Sequence, residues 1–232
     1  MNSTHIRRAA AAALVLVGAA CSTNKSAMRA APPPTATPAG TQSNAAYYKA
    51  KAKADSARLP YTEADIHFMS GMIHHHAQAI AMAKWAPTHG ASPAIQRMCE
   101  RIINAQSDEI TVMSNWLRDR NQPVPVPSAS GMKMMMNGME HTMLMPGMLS
   151  EEQMKELDAS RGVDFDKTFL KYMIQHHKGA LQMVNDVQGT NGGAQDELTF
   201  KLTSDVYADQ STEIDRMEKM LVMLTFGGGR AP

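Results

Sequence analysis

Between Thr62 and Leu224 the apolar positions recur every three or four residues, the period of amphipathic helices. The first such stretch starts at Thr62, a capping residue followed by acids, and runs to about Trp85, where Pro87 and Gly90 break it. Ser92-Pro93 restarts a helix in the order cap then proline, and Ile95, Met98, Ile102, Ile110, Met113 and Leu117 carry it to about Asp119. Gln122 to Ser130, punctuated by Pro123, Pro125 and Pro127, reads as a linker. Ser150 and Gln153 make a capping box for a short helix ending near Ala159. A third long helix spans about Asp164 to Val187 and stops at Gly189 and Gly192-Gly193. A fourth covers about Ala194 to Leu224, ahead of a glycine-rich tail. No stretch shows the two-residue period of a strand, so the expected class is all-α.

The pattern repeats. At a shift of 101 residues, Asp65, Phe68, Met72, Ile73, His75, His76, Ala79, Ile80 and Met82 match Asp166, Phe169, Met173, Ile174, His176, His177, Ala180, Leu181 and Met183. At a shift of 104, Gln106, Ser107, Glu109, Ile110, Met113 and Leu117 match Gln210, Ser211, Glu213, Ile214, Met217 and Leu221. The chain therefore reads as a duplicated helical hairpin, and two hairpins with apolar faces close most simply into a four-helix bundle. A pseudo-two-fold axis would place the two His-His helices equivalently.

The residues before this unit read as an address and a spacer. Arg7 and Arg8 precede an apolar run from Ala9 to Ala20, too short to span a bilayer but suited to a secretory signal. Gly18-Ala19-Ala20-Cys21 resembles a bacterial lipoprotein signal, in which the cysteine becomes the lipidated first residue. Residues 21–58 are rich in Ala, Pro, Ser and Thr, a composition that forms no core and serves as a tether to residues 59–226. These features imply an exported, periplasm-facing protein held to a membrane by lipid on Cys21. Cys99, the other cysteine, is expected to be a small buried hydrophobe.

Composition removes several functions and raises one. A net charge of +1 with 5% aromatics offers neither a basic stripe nor a stacking platform, so no nucleic-acid partner is expected. Nothing resembles a nucleophile with its base or a phosphate-cradling loop, so the protein is not read as an enzyme. Methionine is the anomaly, with 21 residues. On the first helix Asp65, Phe68, Met72, His75, Ala79 and Met82 share one stripe, and Met173, His176 and Met183 repeat it on the third. His76 and His177 lie about 100° round the helix but within a turn of Met72 and Met173. A thioether and an imidazole one turn apart suit Cu(I), and would also accept Ag(I); hard ions would want carboxylates. Glu109 and Glu213 are read as carboxylates that fix the tautomer of these imidazoles, with Asp65 and Asp166 assigned to the same outer shell. His67, His74 and His89 have no counterpart in the second half and are expected to be solvated.

A second concentration lies at residues 131–148, inserted between the halves. Met132, Met134, Met135, Met136, Met139, Met143, Met145 and Met148 crowd into it beside His141, while Gly131, Gly138, Pro146 and Gly147 oppose a long helix. The expectation is an irregular loop with nothing regular to pack against, in which Met132, Met134, Met136, Met139, His141, Met143 and Met145 capture Cu(I). A hydrophobic lid or a protein-docking patch is the competing use.

Asp-x2-Phe-x3-Met-Ile-x-His-His-x2-Ala-[Ile/Leu]-x-Met, present at 65–82 and again at 166–183 and followed by Gln-x2-Glu-Ile-x2-Met, resembles the family of domains of unknown function numbered 305. The resemblance covers about Thr62 to Leu224. It implies a ferritin-like four-helix fold in a bacterial envelope protein, and some members of that family are copper-binding proteins linked to copper resistance. Carried over by position, the implied ligands are Met72, His75, His76, Met173, His176 and His177. The resulting expectation is a protein that sequesters Cu(I) or hands it to a copper-transport partner, alone or as an oligomer. Two alternatives stand beside it. One is a ferritin-like iron or zinc carboxylate protein with oxidase activity, although no Glu here has a His three residues on, as di-iron sites require. The other is a structural or signalling lipoprotein that uses its methionine surface to bind a partner.

Overall fold

The computed structural model describes residues 61–136 and 138–227. The signal segment, Cys21 and the tether lie outside the described residues. Five helices and one hairpin follow in the order α1 (Glu63–Ala83), α2 (Pro93–Asp119), β1 (Met132–Met136), β2 (Met139–Met143), α3 (Glu151–Ala159), α4 (Gly162–Gly189) and α5 (Glu197–Phe226). Helix α1 packs along α2, α4 packs along α5, and the two hairpins meet through α1 and α4. The four long helices form an all-α bundle from a repeated hairpin.

Each half caps the other. In α1 the buried carboxylate of Asp65 accepts from the Thr62 amide at 2.7 Å and its hydroxyl at 2.8 Å, closing the first turn. Its second oxygen accepts from the Ala194 amide, just ahead of α5, at 2.7 Å. Asp166 of α4 repeats the device, its two oxygens accepting from the Ser92 amide at the head of α2 at 3.1 and 3.2 Å. Each aspartate thus ties the central helix of one hairpin to the outer helix of the other and satisfies an amide with no intrahelical partner. This corrects the outer-shell assignment of Asp65 and Asp166. Both are structural ties, ten residues and about 15 Å of helix from the histidines.

The core divides into two apolar blocks. One is built around Ile95, Met98, Phe165, Phe169, Met173 and Met217, the other around Met69, Met72, Trp116, Met183, Val184 and Val206. Phe68 to Ile73 of α1 fall in the same block as Ala180 to Val187 of α4, whereas Ala79 and Met82 join Phe165 and Phe169, so α1 and α4 run antiparallel. On every long helix the residues between the two blocks are polar: His75 and His76, Gln106 and Glu109, His176 and His177, Gln210 and Glu213. A polar slab therefore crosses the middle of the bundle.

Three expectations change. The inserted segment is not an irregular loop: β1 and β2 pair antiparallel from Met132 against Met143 to Met136 against Met139. The missed signal is Asn137-Gly138, the strongest two-residue hairpin sequence, with Gly138 at φ +78°. The segment also finds something regular to pack on, because Met145 and Met148 are buried against α1 and α4. Finally, His74 and His89 are buried, not solvated. His74 Nδ1 accepts from the Ser128 amide at 3.2 Å and holds the linker, while His89 Nε2 meets the backbone oxygen and the carboxylate of Asp158 at 3.0 Å each. His67 is exposed, as expected.

Candidate metal centre

The slab is built by the repeat. Because His75 and His176 occupy equivalent positions on antiparallel helices, the pseudo-two-fold axis passes between them and brings the rings together at 3.7 Å between centroids. His76 and His177 point from the same turns toward the outer helices. His76 Nε2 meets Glu109 Oε2 at 2.6 Å, and His177 Nε2 meets Glu213 Oε2 at 2.7 Å. Both glutamates are mostly covered, and the packing decides that each engages the outer imidazole of its own hairpin.

The layer holds an unusual number of unpaired polar atoms for a bundle interior. His76 Nδ1, His177 Nδ1, His75 Nδ1 and both ring nitrogens of His176 are buried without a partner, as are Gln106 Oε1 and both amide atoms of Gln210. Leaving such a group dry and unbonded costs about 1–3 kcal/mol, so a natural core that keeps several of them retains them for a further use. With Nε2 donating to a carboxylate, Nδ1 of His76 and of His177 carries a lone pair turned away from it, the form in which imidazole binds metals. Burial, reinforced by His76, pushes the His75 imidazole down to about 3, and burial beside His75 puts His176 well below its usual value. Both imidazoles are neutral at physiological pH.

Met72 and Met173, both fully buried, flank this layer on opposite sides, one in each apolar block. The antiparallel arrangement thus separates the two thioethers, which lie one turn from His76 and His177 respectively. Among the described residues, no three His, Cys, Asp or Glu side chains converge as a ready-made cation site. The closely packed His75 and His176 rings would have to part to enclose an ion.

The insert presents the other donor set. Residues opposite one another in an antiparallel pair share a face. The register therefore puts Met132 and Met134 of β1 on the same face as Met143 and His141 of β2, with Met139 two residues beyond His141. Lys133, Met135, Glu140 and Thr142 take the other face, where Lys133 and Glu140 pair at 2.8 Å. Met136 is Met139's backbone partner. The donor face is open to solvent, Met134 being 37% and Met139 61% exposed. Cross-strand neighbours about 5 Å apart let thioethers on two strands reach one soft ion.

The insert's second leg closes over the slab. His75 Nε2 donates to the Pro146 carbonyl at 3.0 Å. That carbonyl can lie so close to α4 only because residue 179 is glycine: a Cβ there would stand 1.9 Å from the Pro146 oxygen. Gln78, the counterpart of Gly179 in the first half, grips the same segment, donating to Ala129 O at 2.8 Å and accepting from the Leu149 amide at 2.6 Å. Met145 is therefore part of the bundle and not of the hairpin face. Cys99 is buried, its thiol pushed up to about 12 by desolvation and by Asp166, and it behaves as a core residue.

A bundle of duplicated hairpins with paired His-His turns at its centre defines a class of helical protein. The family model described as a domain of unknown function, DUF305, matches residues 65–221, and the chain belongs to that family. A DUF305 protein of Streptomyces coelicolor, 25% identical, superposes with a TM-score of 0.56 over 73% of this chain and 95% of its own. A DUF305 fragment from Deinococcus radiodurans, 24% identical, shares the fold with a TM-score of 0.59 over 72% of this chain and all of its own. CopM in its Cu(I)-bound form is 26% identical with a TM-score of 0.52, covering 71% of this chain and 98% of that one. CopM has also been solved with Cu(II) and with Ag bound. An uncharacterized protein of Acanthamoeba polyphaga mimivirus is 38% identical over 56 residues, and the match spans 37% of that curated relative and 24% of this chain.

Proposed function

We propose that this protein binds Cu(I) as cargo, and Ag(I) in its place, through thioether and imidazole donors, and so sequesters copper or passes it on. The observation that carries the reading is the hairpin register, which gathers Met132, Met134, Met139, His141 and Met143 on one face, open to solvent except at Met132, which packs against the bundle. Such neutral, soft donors favour Cu(I) over the carboxylate-seeking ions and need lose no proton to bind. The solved Cu(I), Cu(II) and Ag forms of CopM, a relative with the same fold, support the choice of metal. The buried layer of His75, His76, His176 and His177, with Met72 and Met173 beside it, supplies a second donor set that a metal would have to open. Residues 1–21 support export and lipid attachment at Cys21, placing this cargo function at the periplasmic face of a membrane with a copper-transport protein as recipient.

Titration of the mature protein with Cu(I) against a competing chelator, read with X-ray absorption, tests this directly. Sulfur-dominated coordination with some nitrogen is expected. Replacing Met132, Met134, Met139 and Met143 by Leu should remove the sulfur-rich ions with little change in fold, since Leu and Met have similar volume. A wild-type protein that never competes with the chelator would sink the reading. Palmitate labelling that is lost in Cys21→Ala tests the anchor.

A further inference from the structure

At one end of the α1–α4 contact, next to the turn that ends the insert, lies a cavity of about 160 Å³ lined by His67, Phe68, Met145, Met183 and Asp186 among others. Two of its lining methionines pack against Gly71. A Cβ there would stand 2.9 Å from the Met145 sulfur and 3.3 Å from the Met183 terminal methyl, so the missing side chain is what lets the two methionines meet on α1. They arrive from different elements: Met145 from the insert and Met183 from α4. Both are nearly covered, at 5% and 7% exposure, yet they border open space, whereas methionines used only as filler are surrounded by packed atoms. His67, exposed on α1, stands at the mouth with Asp186.

We propose that Met145, Met183 and His67 form a separate soft-metal site for Cu(I) or Ag(I), at the end of the α1–α4 contact where the turn that closes the insert docks. The proposal rests on the copper reading above and adds a place to it. Two thioethers and an imidazole are the donor types a three-coordinate Cu(I) accepts, and they supply no charge of their own. Asp186 brings the compensating negative charge to the cavity wall. The position matters as much as the donors. Met145 follows the last hairpin residue, Met143, by two, and precedes Pro146, whose carbonyl accepts from His75. An ion held there would sit two residues along the chain from the open thioether face and one from the carbonyl that His75 grips.

The test uses Ag(I), which has no redox step to confuse the count. Native mass spectrometry of the mature protein is expected to show one bound ion fewer in the Met145→Leu/Met183→Leu variant than in wild type. A Met132→Leu/Met134→Leu/Met143→Leu variant is expected to keep that ion while losing hairpin-bound ones. Wild-type protein labelled at the methionine methyls with ¹³C provides a readout that needs no variant to fold. The Met145 and Met183 signals should shift together, at the same added equivalent of Ag(I). Unchanged stoichiometry in the double variant, or two methyl signals that stay put while the wild type takes up silver, overturns this site alone. A wild type that takes up neither Ag(I) nor Cu(I) overturns the copper reading with it.

Discussion

The imidazole rings of His75 and His176 lie 3.7 Å apart between centroids, tilted by 38°, with His176 making no hydrogen bond through either nitrogen. This contact is where the two halves of a duplicated chain meet. Two cationic rings could not sit there, and two neutral ones gain only a van der Waals contact while leaving ring nitrogens dry. The centre of the bundle is thus held below the stability that an apolar pair would provide.

Acid should expose that cost first. In the unfolded chain both imidazoles titrate near the ordinary value of 6.5, whereas in the fold His75 is held at about 3 and His176 well below 6.5. Between those limits the unfolded state binds more protons, so stability is fully present above about pH 6.5 and is lost as the pH falls toward 3. Each histidine contributes a slope of up to about 1.4 kcal/mol per pH unit inside that window. Denaturant midpoints of the metal-free protein should drop between pH 7.5 and 5.5, above the carboxylate range. A flat profile would contradict the dry environment of the pair.

Glu109→Gln and Glu213→Gln should each weaken the fold by about 1–3 kcal/mol, because a short bond between a carboxylate and a buried imidazole becomes a neutral one. Nitrogen NMR should show His76 or His177 losing its preference for a proton on Nε2. If these imidazoles bind metal through Nδ1, affinity should fall about 10–100-fold in the same variants. A loss of stability without any change of tautomer would reduce the glutamates to packing.

Gly179→Ala is expected to dislodge the turn at Pro146 and Gly147, since the new methyl would meet a carbonyl oxygen at 1.9 Å and the Gly147 Cα at 2.5 Å. Overpacking of this kind costs about 1–3 kcal/mol. Hydrogen exchange should quicken locally at 145–149, where the Leu149 amide is now held by Gln78. Protection equal to wild type there would mean the insert is not seated on α4.

Asp65→Ala and Asp166→Ala should both destabilise, each by about 1–2 kcal/mol as for other lost caps. Asp65 should be the more costly, because it serves two groups of Thr62 as well as the Ala194 amide, whereas Asp166 serves the Ser92 amide alone. Thermal unfolding of the two variants side by side gives the order. Neither is expected to change metal stoichiometry, since both lie far along the helix from the histidines.

Much of the architecture is legible because helices announce themselves locally. Capping at Thr62 and Ser150, the Ser92-Pro93 start and the glycine stops at Gly189 to Gly193 depend on residues a turn apart, so α1 to α5 fall close to where the pattern places them. The repeat was legible for the same reason, and it marks Glu109 and Glu213 as equivalent carboxylates, whereas which imidazole each one meets comes from the packing. The hairpin was hidden by composition. Thioethers on both faces of β1, with Met134 and Met135 adjacent, erase the two-residue alternation, and only Asn137-Gly138 still signals a turn.

The sequence alone determined a duplicated all-α unit, the His-His turn repeated in each half, and two glutamates, Glu109 and Glu213, at equivalent places on the outer helices. These follow from the helical period, which ties residue spacing to side-chain direction. Tertiary structure decided what no local period encodes: that α1 and α4 run antiparallel, so that His75 meets His176 while Met72 and Met173 are driven to opposite sides. It also decided that Asp65 and Asp166 bind distant amides, that His74 and His89 go inside, and that Met145 leaves the hairpin to join Met183 over Gly71. Each of those is a contact between segments far apart in the chain, set by which surfaces exclude water together and not by what the neighbouring residues prefer.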